Sequence, residues 1–233
     1  MGYVGVAPGT TTITLPDGTT VALSDWIDDK LYGTVQLNNG QTNEIIAFSN
    51  GRSQPIPGGT RIQTRADTNI PRNGETGLPK DWEMLVYGWS WQFIRAMRPN
   101  AAGQVVLGDD GVALSDPVDQ RTFFGVNRVT FFEYRYNDKQ YTQGTMEEYP
   151  QGHGLNLVTT NAAREQVTNG VPSPRDRVAL VLPVHERENL SFQGKLQPEA
   201  PLPISQAASD AGANLTFVDA KLRKLGMIKR TVI

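Results

Sequence analysis

Two histidines are the side chains best suited to acid–base or metal chemistry in this chain of 233 residues, which has no cysteine. His153 lies between two glycines in the segment 149–154, and this predicts a tight, exposed loop. His185 precedes three charged residues, which is typical of a strand end in solvent. The lack of cysteine excludes disulfides, thiolate catalysis and Cys-bound zinc. We predict that neither histidine is catalytic or bound to a metal.

Two pairs of adjacent acids, Asp109-Asp110 and Glu147-Glu148, are the remaining candidates for a carboxylate site. Neighbouring side chains of an extended segment point to opposite faces, which is unsuitable for a catalytic carboxylate pair. The sequence also has no Gly-x-Ser-x-Gly motif and no phosphate-binding Gly-rich loop. We therefore predict no catalytic residue, no metal site, no cofactor and no enzymatic activity.

Arginines are concentrated in the central third of the chain, and arginine interleaved with aromatic residues can bind nucleic acid. The five arginines are Arg95, Arg98, Arg121, Arg128 and Arg135. Acids such as Asp116, Asp119 and Glu133 lie among them, and the formal net charge of the whole chain is only −2. A nucleic-acid-coating protein normally carries a basic excess. Salt bridges between subunits are therefore the favoured interpretation.

The composition indicates many short strands joined by turns. The chain contains 23 Gly and 15 Pro, and these are scattered rather than gathered in one tract. No strand–helix alternation or repeat is present, which favours an all-β antiparallel sandwich with a few short helices. No apolar run is long enough to cross a membrane as a helix, and the amino terminus lacks a signal-peptide pattern.

The strongest strand signal covers residues 82–94, where bulky and small side chains alternate. The alternation predicts one bulky face that consists of Leu85, Tyr87, Trp89, Trp91 and Phe93. Three of the four tryptophans lie in this strand, so we expect it to cross the centre of the core. Trp89 and Trp91 are predicted to be core residues and not a ligand platform.

Weaker patterns predict the remaining elements. Asp17-Gly18 predicts a hairpin between 12–15 and 20–23, and Ser24 predicts the cap of a helix over 25–32. Pro183 predicts that its strand is an edge strand or bulged. Further strands are expected at 33–37 and 43–48 on either side of a turn, at 60–64, at 127–136 and 139–142 around Asn137-Asp138, at 177–185 with 189–196 as its neighbour, and at 214–218 and 227–233 around a short helix at 219–224.

Residues 1–75 are predicted to form an amino-terminal arm with short strands, and residues 76–233 a β-sandwich with a jelly roll as the leading candidate. The arm has a lower apolar density than the strand from Trp82 onward, so we expect it to lie along adjacent subunits. The alternative is a small folded subdomain that packs on its own barrel.

The order of these pieces resembles the jelly-roll capsid proteins of tailless icosahedral bacteriophages, the group with single and double jelly rolls. The resemblance covers roughly residues 60–233. It rests on 68–71 and 77–79 before the tryptophan-rich strand, on 130–141 and 149–154, and on 182–184 and 190–194. At this length, the chain fits one roll with arms and insertions.

The resemblance implies a structural capsid subunit of a virion, made in the host cytoplasm, that self-assembles into an icosahedral shell. Its partners would be other copies of itself and other capsid proteins, with an internal membrane or packaged genome beneath the shell as further candidates, and no small-molecule substrate. Two alternatives from other classes are a carbohydrate-binding or tail-fibre-like β-sandwich module and an enzyme such as a glycosidase on a sandwich.

Overall fold

A computed structural model of the protein describes residues 10–15, 18–70, 77–95, 120–149, 156–161, 164–168, 178–188, 190–204 and 217–230. Within these ranges strands dominate, with one α-helix, α1 (Gln120–Val129), and two 3-10 turns, Leu23–Asp25 and Met146–Glu148. The strands are β1 (Thr12–Thr14), β2 (Thr20–Ala22), β3 (Trp26–Asn38), β4 (Ile45–Ala47), β5 (Glu83–Arg95), β6 (Thr130–Tyr136), β7 (Lys139–Thr145), β8 (Asn156–Asn161), β9 (Arg164–Thr168), β10 (Val178–Glu186), β11 (Phe192–Pro198) and β12 (Phe217–Lys229).

Eight of these strands form two four-stranded antiparallel sheets. The first sheet has the order β10-β5-β12-β3, and the second has the order β4-β11-β6-β7. Counted along the chain, the first of the eight strands pairs with the last and the second with the seventh. The third pairs with the sixth and the fourth with the fifth. The predicted all-β antiparallel sandwich is confirmed.

The main core lies between the two sheets. Trp89 of β5 packs against Tyr134 of β6 with 4.9 Å between the ring centroids, so the contact joins the first sheet to the second. Trp89 is 1% exposed and Trp91 is 3% exposed, which confirms that both are core residues. Burial of such large rings is worth several kcal/mol each and dominates the packing of a core of this size.

A bulge at Tyr87 divides β5 into two halves that face the core differently. Gly88 is opposite Leu225 in β12 and Val86 is opposite Gly226, so Tyr87 is the extra residue. Gly226 makes room for this close approach, because a Cβ there would lie 2.0 Å from the carbonyl oxygen of Leu85. Met84 and Val86 therefore share the main core with Trp89, whereas Leu85 and Tyr87 lie on the outer face. The prediction of one uninterrupted bulky face was wrong.

The amino-terminal hairpin packs on the outer face of the first sheet. β1 and β2 pair as predicted, and Gly18 has a φ of 83°, which glycine adopts without strain. Leu15 is buried with Trp26 and Leu85 in a second, smaller cluster. This hairpin therefore contacts its own sandwich, as the subdomain alternative requires.

The predicted domain boundary at residue 75 does not coincide with a boundary in strand pairing. β3 is hydrogen-bonded to β12 along its whole length, and β4 belongs to the second sheet. Residues 26–48 are thus part of the sandwich and not of a separate arm.

Two predicted helices are strands in the structure. Residues 25–32 begin as the end of a 3-10 turn and continue as β3, and residues 219–224 lie within β12. Each of these segments is held by the long β3–β12 pairing, which outweighs a weak local preference for helix. Conversely, residues 127–129 end helix α1 and do not begin a strand.

Two further predictions about strands were wrong. β10 and β11, predicted as neighbours, lie in different sheets, as do β3 and β4 on either side of the turn at 38–41. The segment 60–64 forms only one isolated bridge, between Pro55 and Ile62. By contrast, the turn at Asn137-Asp138 joins β6 to β7 as expected. Pro183 lies in an edge strand, at an irregularity between Ala179 and Val184, as its missing N–H predicts.

Candidate functional site

Three polar side chains meet in the sealed space between the sheets, and we call them the interior cluster: Lys224 of β12, Glu186 of β10 and Tyr134 of β6. All three have 0% exposure. The Lys224 ammonium donates to Glu186 Oε2 at 2.5 Å and to Tyr134 Oη at 3.3 Å. The Tyr134 hydroxyl donates to the other oxygen of the Glu186 carboxylate.

Aromatic rings surround the lysine of the interior cluster. Lys224 Nζ lies 3.3 Å from the centroid of the Phe192 ring and 5.7 Å from that of Tyr134, which is the geometry of a cation–π contact. Trp89 is the cross-strand neighbour of Lys224. In the folded protein, the carboxylate, the hydroxyl and the two ring faces thus replace water around the Lys224 ammonium.

The interior cluster connects both sheets, since Tyr134 belongs to the second and the other two residues to the first. Removing two charges from water costs several kcal/mol per ion, and the mutual contacts offset this only when both partners are present. With no solvent exposure, the cluster is out of reach of a substrate in this conformation. The contacts of the interior cluster hold the two sheets together in one preferred arrangement.

A second group of charges, which we call the loop cluster, holds the segment 51–70 against the first sheet. Arg61 binds Asp67 through two nitrogens at 2.8 and 3.0 Å and binds Asp219 of β12 at 2.8 Å. Both carboxylates are buried, whereas the Arg61 side chain is 26% exposed. The arginine therefore covers two buried acids and keeps one side in water.

Asp67 is the most strongly bound carboxylate of the loop cluster. It also accepts hydrogen bonds from the backbone N–H and the hydroxyl of Thr64, at 2.9 and 2.8 Å. Burial acts to raise the pKa of Asp67, but these bonds and those from Arg61 outweigh it and lower the pKa to about 2. The hydrogen bond with Asp67 is the main cause that raises the pKa of Arg61.

His185 lies at one end of the first sheet, within an ion-pair group on the outer face. Its Nε2 is 2.7 Å from Glu83 Oε2, and Lys229 Nζ is 3.4 Å from Glu83 Oε1. Trp26 packs edge-on against the imidazole at 6.3 Å between centroids. Burial acts to raise the pKa of Glu83, and the contacts with His185 and Lys229 overcome it, so the pKa is lowered.

Several of the other candidate residues lie in parts of the chain that the structure does not describe. His153, Asp109, Asp110 and Arg98 lie outside the described residues, and so do Asp116 and Asp119, while Arg95 and Arg121 are described only as parts of β5 and α1.

The acids Glu147 and Glu148 have different partners. Glu148 accepts hydrogen bonds from the backbone N–H and hydroxyl of Thr145, whereas Glu147 lies 3.7 Å from Arg128. Arg135 pairs with Glu133. Arg128 and Arg135 thus each have an acid partner within this chain, and salt bridges between subunits stay a prediction.

Sequence reasoning missed both buried clusters. A signal for Lys224 was present, because it continues the alternation of Val218, Ala220 and Leu222 on the inner face of β12. A charge on the apolar face of a strand predicts a buried partner, but the helix predicted at 219–224 hid the alternation.

Among the described residues, no group of three or more His, Cys, Asp or Glu is arranged to hold a metal ion. In the same part of the chain, no helix combines the length and apolar character needed to cross a bilayer. Comparison with protein-family models, with curated proteins and with solved structures finds no match to this chain.

Proposed function

We propose that this protein is a jelly-roll structural subunit of a bacteriophage capsid, which self-assembles through contacts between copies into an icosahedral shell. The observation that carries the proposal is the nested pairing of eight strands, first with last through fourth with fifth, in two four-stranded sheets. This strand order arises when the first half of the chain pairs with the second half and the paired strands then roll into two sheets. Jelly rolls have this arrangement. The sequence resemblance to phage capsid proteins adds independent support.

Jelly rolls also serve as lectin domains, so the fold alone leaves a carbohydrate-binding module as the second candidate. A sugar platform needs exposed aromatic rings. Trp89 and Trp91 lie in the core and are not available for this purpose. The burial of these rings favours the capsid proposal over the carbohydrate-binding one.

The side-chain contacts that join the two sheets are suited to a shell subunit. The interior cluster and the Trp89–Tyr134 contact both join the first sheet to the second. A subunit that must keep one shape at many lattice positions benefits from a core with a single preferred geometry.

The test is to express the full chain and examine the purified protein by analytical ultracentrifugation and negative-stain electron microscopy over a range of concentration and salt. Regular shells or capsomers of defined copy number support the capsid proposal. A protein that stays monomeric under all conditions and binds oligosaccharides on a glycan array supports the carbohydrate-binding candidate and contradicts the capsid proposal.

A further inference from the structure

The interior cluster places an amine and a carboxyl group in direct contact, which are the two groups that form an amide. Lys224 Nζ is 2.5 Å from Glu186 Oε2, and both side chains have 0% exposure. Because the carboxyl carbon Cδ is bonded to Oε2, the nitrogen is close to the separation of about 3–3.5 Å from which a nucleophile attacks. A rotation about the Cγ–Cδ bond of Glu186 turns the face of the carboxyl group toward the nitrogen.

The surroundings of this pair favour its neutral form. The rings of Phe192 and Tyr134 lie beside the Lys224 nitrogen, and no water reaches it. Transfer of one proton from the ammonium to the carboxylate replaces two buried charges by an amine and a carboxylic acid, which cost less to keep out of water. The neutral amine has the lone pair that a nucleophile needs. The same sealed interior excludes the water that would hydrolyse an amide.

The Tyr134 hydroxyl is positioned to stabilise the reacting carboxyl group. It donates to Glu186 Oε1 and accepts a hydrogen bond from Lys224 Nζ at 3.3 Å. When an amine attacks Cδ, negative charge develops on the oxygen that is not expelled, and a donor already aimed at Oε1 stabilises that charge. The two carboxyl oxygens of Glu186 therefore have different partners, Tyr134 on Oε1 and the attacking lysine on Oε2.

We propose that Lys224 and Glu186 become joined by an isopeptide bond after the chain has folded. The ammonium passes one proton to Oε2, the amine nitrogen attacks Cδ, and a second proton passes from the nitrogen to Oε2, which leaves as water. The new bond joins Nζ to Cδ, Oε1 remains as the amide oxygen, and no oxidant or co-reactant is consumed. A phenol is a weak acid, so the step is slow: newly folded protein holds the ion pair, and the amide accumulates with time. This modification does not depend on the assembly role proposed above.

Two other lysine–glutamate pairs of the described residues serve as internal controls. Lys195 and Glu44 are 3.4 Å apart, and so are Lys229 and Glu83. All four side chains are partly exposed to water, which keeps both groups charged and the amine protonated. We expect no amide at either of these pairs.

The test is mass spectrometry of the purified full-length protein, both fresh and after incubation well below its Tm. The intact mass should fall by the mass of one water molecule in a growing fraction of the protein, at a rate independent of protein concentration. Trypsin should release the peptide 178–187 joined to the peptide 224–229, because an acylated Lys224 is no longer a cleavage site. In unreacted protein, 178–187 and 225–229 are released separately. Loss of water at another place, such as Asp17-Gly18, leaves these peptides separate and does not support the proposal.

Three variants relate the reaction to the interior cluster. Tyr134→Phe keeps the ring and removes the hydroxyl, and it should slow formation of the joined peptide about tenfold or more. Lys224→Met should abolish the joined peptide, whereas the matched control Lys229→Met, on the outer face, should leave its rate unchanged. The wild-type peptide map is decisive even where a variant fails to fold. Absence of the joined peptide after several weeks, in wild-type protein that circular dichroism shows to be folded, would overturn the proposal. An unchanged rate in Tyr134→Phe would overturn the role assigned to its hydroxyl.

Discussion

The interior cluster and the loop cluster both bury carboxylates beside a basic side chain, but they differ in their access to water. Lys224 and Glu186 are sealed on all sides and pair with each other. In the loop cluster, one partly exposed arginine serves two buried carboxylates, and Asp67 has further bonds from Thr64. The desolvation cost is therefore higher in the interior cluster, whereas the arginine of the loop cluster keeps contact with water.

This difference determines how each cluster stabilises the fold. A sealed ion pair contributes little net free energy compared with an apolar replacement, yet loss of one partner leaves a costly lone charge. A carboxylate with several donors near water gains stability that can be titrated by pH. The interior cluster specifies a geometry, and the loop cluster supplies pH-dependent stability.

The largest effect is expected for Lys224→Met. This variant leaves the Glu186 carboxylate buried without its ammonium partner and should lower the free energy of unfolding by about 3–5 kcal/mol. Equilibrium denaturation in urea measures the loss. The triple variant Lys224→Met/Glu186→Leu/Tyr134→Phe should recover most of it, because no polar group remains unpaired. A triple variant less stable than Lys224→Met would show that the interior cluster is itself a net source of stability.

Asp67→Asn should lower the free energy of unfolding by roughly 2 kcal/mol at pH 7, as follows from a pKa lowered from 3.8 to about 2. Because the pKa of Asp67 is lower in the folded protein, its contribution is complete above about pH 4. It is lost as the pH falls from there through about 2. The difference between wild type and variant should narrow over this range in denaturation curves measured at several pH values. A difference that is constant with pH would contradict the assignment.

A smaller effect is expected for Arg61→Lys, which keeps the charge but loses the fork that reaches Asp67 and Asp219 together. We expect a loss of about 1 kcal/mol in the free energy of unfolding, since one ammonium cannot reproduce three guanidinium bonds. Chemical denaturation at pH 7 is the measurement, with Arg135→Lys as an exposed control. Equal stability of Arg61→Lys and wild type would mean that the loop cluster needs only a positive charge at this position and not the geometry of the guanidinium.

The smallest effect is expected for His185→Gln. The glutamine keeps a donor for Glu83 and loses only the ring contact with Trp26, so the stability should fall by less than about 1 kcal/mol. Thermal unfolding gives the value. A loss as large as that of Lys224→Met would mean that this outer ion-pair group is as important as the interior cluster.

The fold was predictable from the sequence to the extent that local patterns determine it. The alternation around Trp89 predicted a central strand, and Asp17-Gly18 and Asn137-Asp138 predicted two hairpins. The helix predicted after Ser24 failed because Ser24 lies inside a short 3-10 turn instead of capping a helix, and pairing with a distant strand determined what followed. The bulge at Tyr87 could not be predicted from the sequence of β5 alone, because it depends on the close approach of Gly226 in another strand.

The buried charges were harder to predict than the fold. Arg61 and Asp67 are close in the sequence, but their third partner, Asp219, lies in the last strand. Likewise, nothing local relates Lys224 to Glu186. Such clusters depend on which strands are neighbours, and here the strand order could not be obtained from periodicity alone.

The pairing of β3 with β12 has a consequence for the order of events when the chain is synthesised. β3 leaves the ribosome early, and its partner emerges only after all other described strands, so the first sheet has a high contact order and closes late. Meanwhile, the opposite edge of β3 can bind nearby chain. The backbone N–H of Gln36 donates to the carbonyl of Pro57, and Tyr32 and Asn69 exchange hydrogen bonds. The segment that follows β3 thus covers one edge of this strand locally, and the edge that pairs with β12 waits for the last strand.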